Sequence, residues 1–137
     1  MSDSKATTKP APVPTVDSEG FWAACNEERL TVQRCGACGA AQFYPRNRCT
    51  ACGSADLSLI DAAGTGTVFT FTVNHRAPTE AFAAEAPYVI ALVDLDEGPR
   101  MMMNVIGCAP ADVSIGMKVR IVFEDRGEMK LPQATPA

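Results

Sequence analysis

At 137 residues, with 47% hydrophobic and 20% charged residues, the chain has room for one domain or a domain with a small satellite. A net charge of -4 and a pI near 4.9 argue against a nucleic-acid surface, which needs clustered lysine and arginine. No apolar run is long enough to span a bilayer and Met1-Ser2-Asp3-Ser4-Lys5 leads into no apolar core, so the expected location is cytoplasmic, with the six cysteines held by metal or reduced.

Residues 5–16 are mainly alanine, threonine, proline and valine, with Pro10, Pro12 and Pro14 alternating. Such a stretch cannot bury a core, and it is expected to be extended or disordered, or laid across a partner. A short helix is predicted over 18–29, with Asp17 or Ser18 as its cap. Phe21, Trp22 and Cys25 share one face of it. Trp22 reads most simply as a packing anchor. Phe21 and Trp22 are also the candidates for a subunit interface, where tryptophan is enriched. Residues 30–33 then alternate as a strand.

The strand feeds the motif that carries the chemistry. Cys35-Gly36-Ala37-Cys38-Gly39 and Cys49-Thr50-Ala51-Cys52-Gly53 are two C-x-x-C pairs, each followed at once by glycine. Two thiolates at this spacing reach one ion if the chain turns sharply, and the glycine allows the turn. Cys35, Cys38, Cys49 and Cys52 are therefore the predicted metal ligands. Four soft thiolates favour zinc, with iron the other candidate. Disulfide or redox-dithiol use fits less well, because no βα pattern accompanies either pair. Between the pairs, Phe43 and Tyr44 are expected to cover the metal site, and Pro45 to extend the chain. Arg34, Arg46 and Arg48 form the one basic concentration. They serve either solubility and salt bridges at the surface, or a small anionic ligand such as the phosphates of a nucleotide-like cofactor or an acidic patch on a partner.

Residues 56–60 are a strand candidate, and from Gly64 the pattern is β. Residues 67–73 form a strong strand in which Phe69, Phe71 and Val73 are expected to face one way. Residues 88–95 form another. Asp96-Glu97-Gly98-Pro99 is a turn, so 100–106 should pair back as a hairpin. In that strand Met101 and Met103 share one face and Met102 takes the other. Residues 118–123 alternate as a further strand, and Leu131 lies in a short C-terminal segment. This spacing suggests a small barrel or sandwich, and the length suits an OB-type barrel of five strands. Cys25 and Cys108 stand alone and read as small buried apolar residues. His75, the single histidine, sits at a strand end beside Arg76. No nucleophile elbow, phosphate loop or paired carboxylates are present, so no catalytic residue is predicted.

Several segments together resemble the DUF35 family: Phe21-Trp22, 30–38, Phe43-Tyr44-Pro45-Arg46, 49–53, Gly64-Thr65-Gly66-Thr67-Val68, Thr72-Val73-Asn74-His75-Arg76, Ala86-Pro87-Tyr88-Val89 and Ile115-Gly116-Met117-Lys118-Val119. The resemblance covers nearly everything after residue 17. It implies a mainly β chain, in which a short helix and a rubredoxin-like zinc ribbon precede a small five-stranded OB-fold barrel. The expected divisions are a tail over 1–16, helix plus ribbon over 17–60, the OB-fold over 61–132 and a tail over 133–137. The resemblance further implies structural zinc and acyl-CoA chemistry. The chain would be an accessory subunit of a thiolase-fold enzyme (a thiolase, aldolase or acyltransferase) in a hetero-oligomer, and some relatives pair with hydratase-type subunits. Phe43, Tyr44, Arg46, Arg48, His75 and Arg76 are the candidate acyl-CoA contacts. One departure stands out: relatives often place an aromatic after the C-terminal Leu-Pro, and here Leu131-Pro132 is followed by Gln133-Ala134. The competing readings are a free-standing acyl-CoA-binding module, a rubredoxin-like electron carrier holding iron, and a nucleic-acid binder, which the acidic balance disfavours.

Overall fold

The computed structural model describes residues 9–77 and 79–137. Helix α1 (Glu19–Asn26) leads into a three-stranded sheet of β1 (Thr31–Cys35), β2 (Ala41–Gln42) and β3 (Leu57–Asp61). The order is β2-β1-β3, antiparallel throughout. The remaining strands are β4 (Thr65–Asn74), β5 (Tyr88–Leu95), β6 (Arg100–Val105), β7 (Lys118–Arg126) and β8 (Met129–Pro136). They close into a barrel in the order β4-β5-β6-β8-β7, with β7 returning to β4. A mainly β chain with a short helix, a ribbon and a five-stranded OB-type barrel is thus the fold. Among the described residues no helix is long and apolar enough to cross a membrane.

The alternating strands behave as their pattern dictates. Along β5, Val89, Ala91, Val93 and Leu95 are buried and their neighbours only partly so. β6 runs back against β5, pairing Val93 with Met101 and Val89 with Val105. Met101 and Met103 fill the barrel, while Met102 points out and is 70% exposed. Cys25 is fully buried and its thiol is pushed up to about 12 by that burial. Cys108 is half-buried.

The helix and ribbon do not stand apart from the barrel. Phe21, Trp22, Cys25, Leu30 and Val32 belong to the same apolar core as Val68, Val93 and Val105. The helix begins one residue later than expected. Ser18 flanks its start, but the Ser18 hydroxyl accepts the Thr15 N–H at 2.8 Å instead of capping the helix. A second short helix, α2 (Glu80–Ala83), lies in the β4–β5 connection, where no helix was expected.

Three expectations need correction. Phe69 does not share a face with Phe71 and Val73. The register of β4 against β5 slips between Val68 and Thr70, and this bulge turns Phe69 outward. There the Arg100 guanidinium covers its ring at 3.5 Å from the centroid. The 133–137 tail is likewise barrel. β8 pairs with β7 from Met129–Arg126 through Pro136–Val119, and Gln133 and Ala134 are buried. Finally, the described part of the N-terminal tail lies on the barrel, while residues 1–8 fall outside the described residues. Lys9 Nζ reaches Glu85 at 2.7 Å and Glu124 at 3.0 Å, and Arg126 donates to the Pro10 carbonyl at 3.0 Å. Charge fixes a segment that has no apolar face of its own.

Candidate metal centre and the adjoining cavity

Cys35 ends β1, and the chain then folds over on itself. The Gly39 N–H donates to the Cys35 carbonyl at 2.9 Å, and the Gly53 N–H does the same to the Cys49 carbonyl at 2.9 Å. Gly39 (φ 78°) and Gly53 (φ 81°) are left-handed, which is why glycine ends each pair. The turns aim backbone donors at the first sulfur of each pair. Ala37 N–H and Cys38 N–H lie 3.3 and 3.5 Å from Cys35 Sγ, and Ala51 N–H lies 3.3 Å from Cys49 Sγ.

These donors favour the thiolate. The Cys38 N–H is the main cause that holds the Cys35 thiol at about 6, and the Ala37 N–H supports it against desolvation. Cys49 is lowered by the N–H groups of Cys52 and Ala51. Cys52 has a helpful N–H at Ser54, but the crowd of neighbouring sulfurs outweighs it and pushes the thiol up to about 12. Four thiolates this close need a cation among them.

The sulfurs have the spacing such a cation requires. All four Sγ atoms lie within 4.8 Å of one another. Cys35–Cys52 are 3.6 Å apart and Cys38–Cys49 3.7 Å. A tetrahedron with metal–sulfur bonds of about 2.3 Å has edges of about 3.8 Å. The four predicted ligands therefore form one cluster that fits a tetrahedral ion.

Two glutamines that drew no attention in the sequence hold the second pair against the sheet. Gln42 Nε2 donates to Gln33 Oε1 at 2.8 Å and to the Arg48 carbonyl at 3.2 Å. Gln42 Oε1 accepts the Thr50 N–H at 2.8 Å. Gln33 accepts the Arg46 N–H at 2.9 Å and donates to the Arg46 carbonyl at 2.8 Å. Both side chains are buried and bonded at each end, as buried amides must be.

Phe43 and Tyr44 make their ring contacts with the helix. Phe43 packs edge-on to Phe21 at 5.0 Å, and Tyr44 accepts the Trp22 indole N–H at 3.0 Å. This aromatic cluster lines a cavity of about 460 Å3 together with Met102 of β6, Leu131 of β8 and Phe82 of α2. Phe21 and Trp22, the expected interface residues, are thus buried in this lining. The six candidate acyl-CoA contacts divide between the cavity and the exposed surface. Phe43 and Tyr44 line the cavity, while Arg46, Arg48, His75 and Arg76 are exposed and do not line it.

Residues 22–58 match the family described as ChsH2, rubredoxin-like zinc ribbon domain, and residues 59–124 match ChsH2, C-terminal OB-fold domain. A chain of the solved structure named Ltp2-ChsH2(DUF35) aldolase superposes with a TM-score of 0.83 and 39% identity, over 92% of this chain and 98% of that one. The chain belongs to the DUF35 family. A DUF35 domain-containing scaffold protein of Methanocaldococcus jannaschii is 42% identical over 91 residues, 66% of this chain and 64% of that protein. A "Probable enoyl-CoA hydratase alpha subunit" of Thermomonospora curvata is 41% identical over 130 residues. That match takes in 94% of this DUF35 chain and 40% of the relative, so the chain spans about two fifths of the hydratase subunit's length.

Proposed function

We propose that this chain is a zinc-binding accessory subunit of a thiolase-fold, acyl-CoA-processing enzyme in the cytoplasm. Cys35, Cys38, Cys49 and Cys52 would hold the zinc. Four thiolates fill a tetrahedron and leave no position for water or substrate, so the ion's part is structural. It replaces a core that the short strands of the ribbon cannot build. The reacting groups belong to the partner. Among the described residues His75 is exposed, and the clustered cysteines are committed to the metal.

The observation that carries the reading is the likeness to nearly the full length of a chain from a structure whose name joins DUF35 to an aldolase. The cavity beside the ribbon adds to it. Its aromatic and methionine walls suit an apolar acyl chain, and methionine adapts to varied shapes. The chain would then shape part of the acyl-CoA channel as well as support assembly.

Co-expression with a thiolase-fold acyl-CoA enzyme of the same organism tests the proposal. The expected result is co-elution in size-exclusion chromatography as a hetero-oligomer, with one zinc per copy of this chain. A chain that stays alone, or one that turns over a thioester unaided, overturns it. Assembly with a hydratase subunit instead would replace the thiolase-fold partner. The same cavity favours a second reading, a free-standing acyl-CoA-binding module. Calorimetry of the isolated chain with acetyl-CoA separates the two, because only the module binds without a partner.

A further inference from the structure

Each metal-binding turn opens on an arginine. Arg34-Cys35-Gly36-Ala37-Cys38-Gly39 and Arg48-Cys49-Thr50-Ala51-Cys52-Gly53 are two copies of one unit, arginine-cysteine-x-alanine-cysteine-glycine. The copies agree in geometry as well as in sequence. Arg34 Nη1 donates to the Gly39 carbonyl at 3.1 Å, and Arg48 Nη1 donates to the Gly53 carbonyl at 3.4 Å. Each guanidinium is therefore folded back over its own turn, joining the residue before the first cysteine to the residue after the second. Both arginines are exposed, and among the described residues neither pairs with a carboxylate. A single surface arginine in such a pose would mean little. Two, at equivalent positions in independent turns, making the same bond, call for a common cause.

Charge supplies one. A divalent ion among four thiolates leaves the centre with two negative charges in excess, and the remainder of the chain is acidic. Each turn contributes one permanent positive charge, since a guanidinium stays protonated at every accessible pH. The carbonyl bond holds that charge over the turn. We propose that Arg34 and Arg48 are paired counter-charges of the four-cysteine centre, which slow release of its metal without ligating it. The proposal rests on the zinc reading of the site. It also gives Arg48 a duty toward the ion in place of a contact with acyl-CoA.

The test uses the full chain with its zinc content measured first. Zinc release to a chelating dye is followed for the wild type, for the Arg34→Gln, Arg48→Gln double variant and for the matching Arg34→Lys, Arg48→Lys variant. Release from the glutamine variant is expected to be roughly tenfold faster, in keeping with outer residues of a metal site. The lysine variant, which keeps the charge, should recover most of the difference. Wild-type release should quicken as salt rises from about 50 mM to about 500 mM, and the glutamine variant should respond less, because its attraction has already been removed. Far-ultraviolet dichroism and Trp22 fluorescence verify that each variant is folded. Equal release from wild type and glutamine variant overturns the proposal. So does a lysine variant as leaky as the glutamine one, which would assign the effect to the carbonyl bond's geometry. A wild type carrying iron or no metal overturns the zinc reading itself, and elemental analysis reveals that before any variant is compared.

Discussion

The side chain of Gln133 occupies a ladder position against Asn104. Its Oε1 accepts the Asn104 backbone N–H at 2.8 Å, and its Nε2 donates to Asn104 Oδ1 at 3.2 Å and to Glu124 Oε1 at 3.0 Å. The barrel needs this because β6 and β8 share a single register pair, Val105 with Ala134. Pro132 in β8 has no N–H to offer across the seam. An amide side chain carries a donor and an acceptor as a peptide does, so Gln133 satisfies groups that an aromatic ring in its place could not. The glutamine after Leu131-Pro132 is thus a local solution to an incomplete strand pairing.

Gln133→Leu should therefore destabilise the barrel by about 2–4 kcal/mol, since it strands a buried N–H along with the Asn104 amide. Urea denaturation followed by barrel dichroism measures this. An unchanged midpoint would mean that water replaces the side chain.

Gln42→Leu should act on the ribbon and spare the barrel. It removes the bonds to Gln33, the Arg48 carbonyl and the Thr50 N–H while leaving every sulfur in place. Residues that orient a metal site from behind its ligands typically cost roughly 10- to 100-fold in affinity when lost. Competition with a zinc chelator is the measurement. Wild-type affinity in the variant would relegate the glutamine pair to simple packing.

Cys38→Ser or Cys49→Ser should unfold the ribbon, because metal binding contributes on the order of 10 kcal/mol to the folding of such a site. Elemental analysis should show the metal lost, and size-exclusion chromatography should show assembly with the partner enzyme lost too. Assembly that survives in a zinc-free variant would separate docking from the metal. The same analysis on the wild type decides zinc against iron, and visible thiolate-to-iron absorption would favour the electron-carrier reading.

Glu124 sets an acid limb of stability. Burial alone would raise its carboxyl. The hydrogen bonds from Lys9 and Gln133, with the charges of Lys9 and Arg126, outweigh this and hold it below its ordinary value of 4.5. A carboxyl lowered by folding contributes stability above its unfolded value and loses it as pH falls through the lower folded one. Thermal midpoints taken downward from pH 7 should therefore fall more steeply below about 4.5 in the wild type than in Glu124→Gln, which should start lower at pH 7. Parallel curves for the two proteins would remove Glu124 from the acid response.

Whatever depended on neighbours along the chain was legible from residue order alone. Two cysteines separated by two residues and followed by a glycine make a turn on their own, so Cys35, Cys38, Cys49 and Cys52 could be named together as ligands. Alternation put Met101 and Met103 on one face and Met102 on the other, because side chains on a strand change face at every residue, and the barrel decided which face is buried. The DUF35 resemblance reached the ribbon and barrel by the same route. What stayed hidden depended on partners far away in the chain. The bulge that turns Phe69 out exists only against β5. Met129–Pro136 carries two prolines and reads as irregular, yet it is a strand because β7 lies along it. Lys9 looks like part of a featureless tail until Glu85 and Glu124 are brought to it. Gln33, Gln42 and Gln133 look like ordinary surface amides until burial leaves backbone groups that only they can reach. A motif is closed by bonds within a few residues, whereas register, burial and pairing arise when the chain returns to itself, and long-range packing alone decides them.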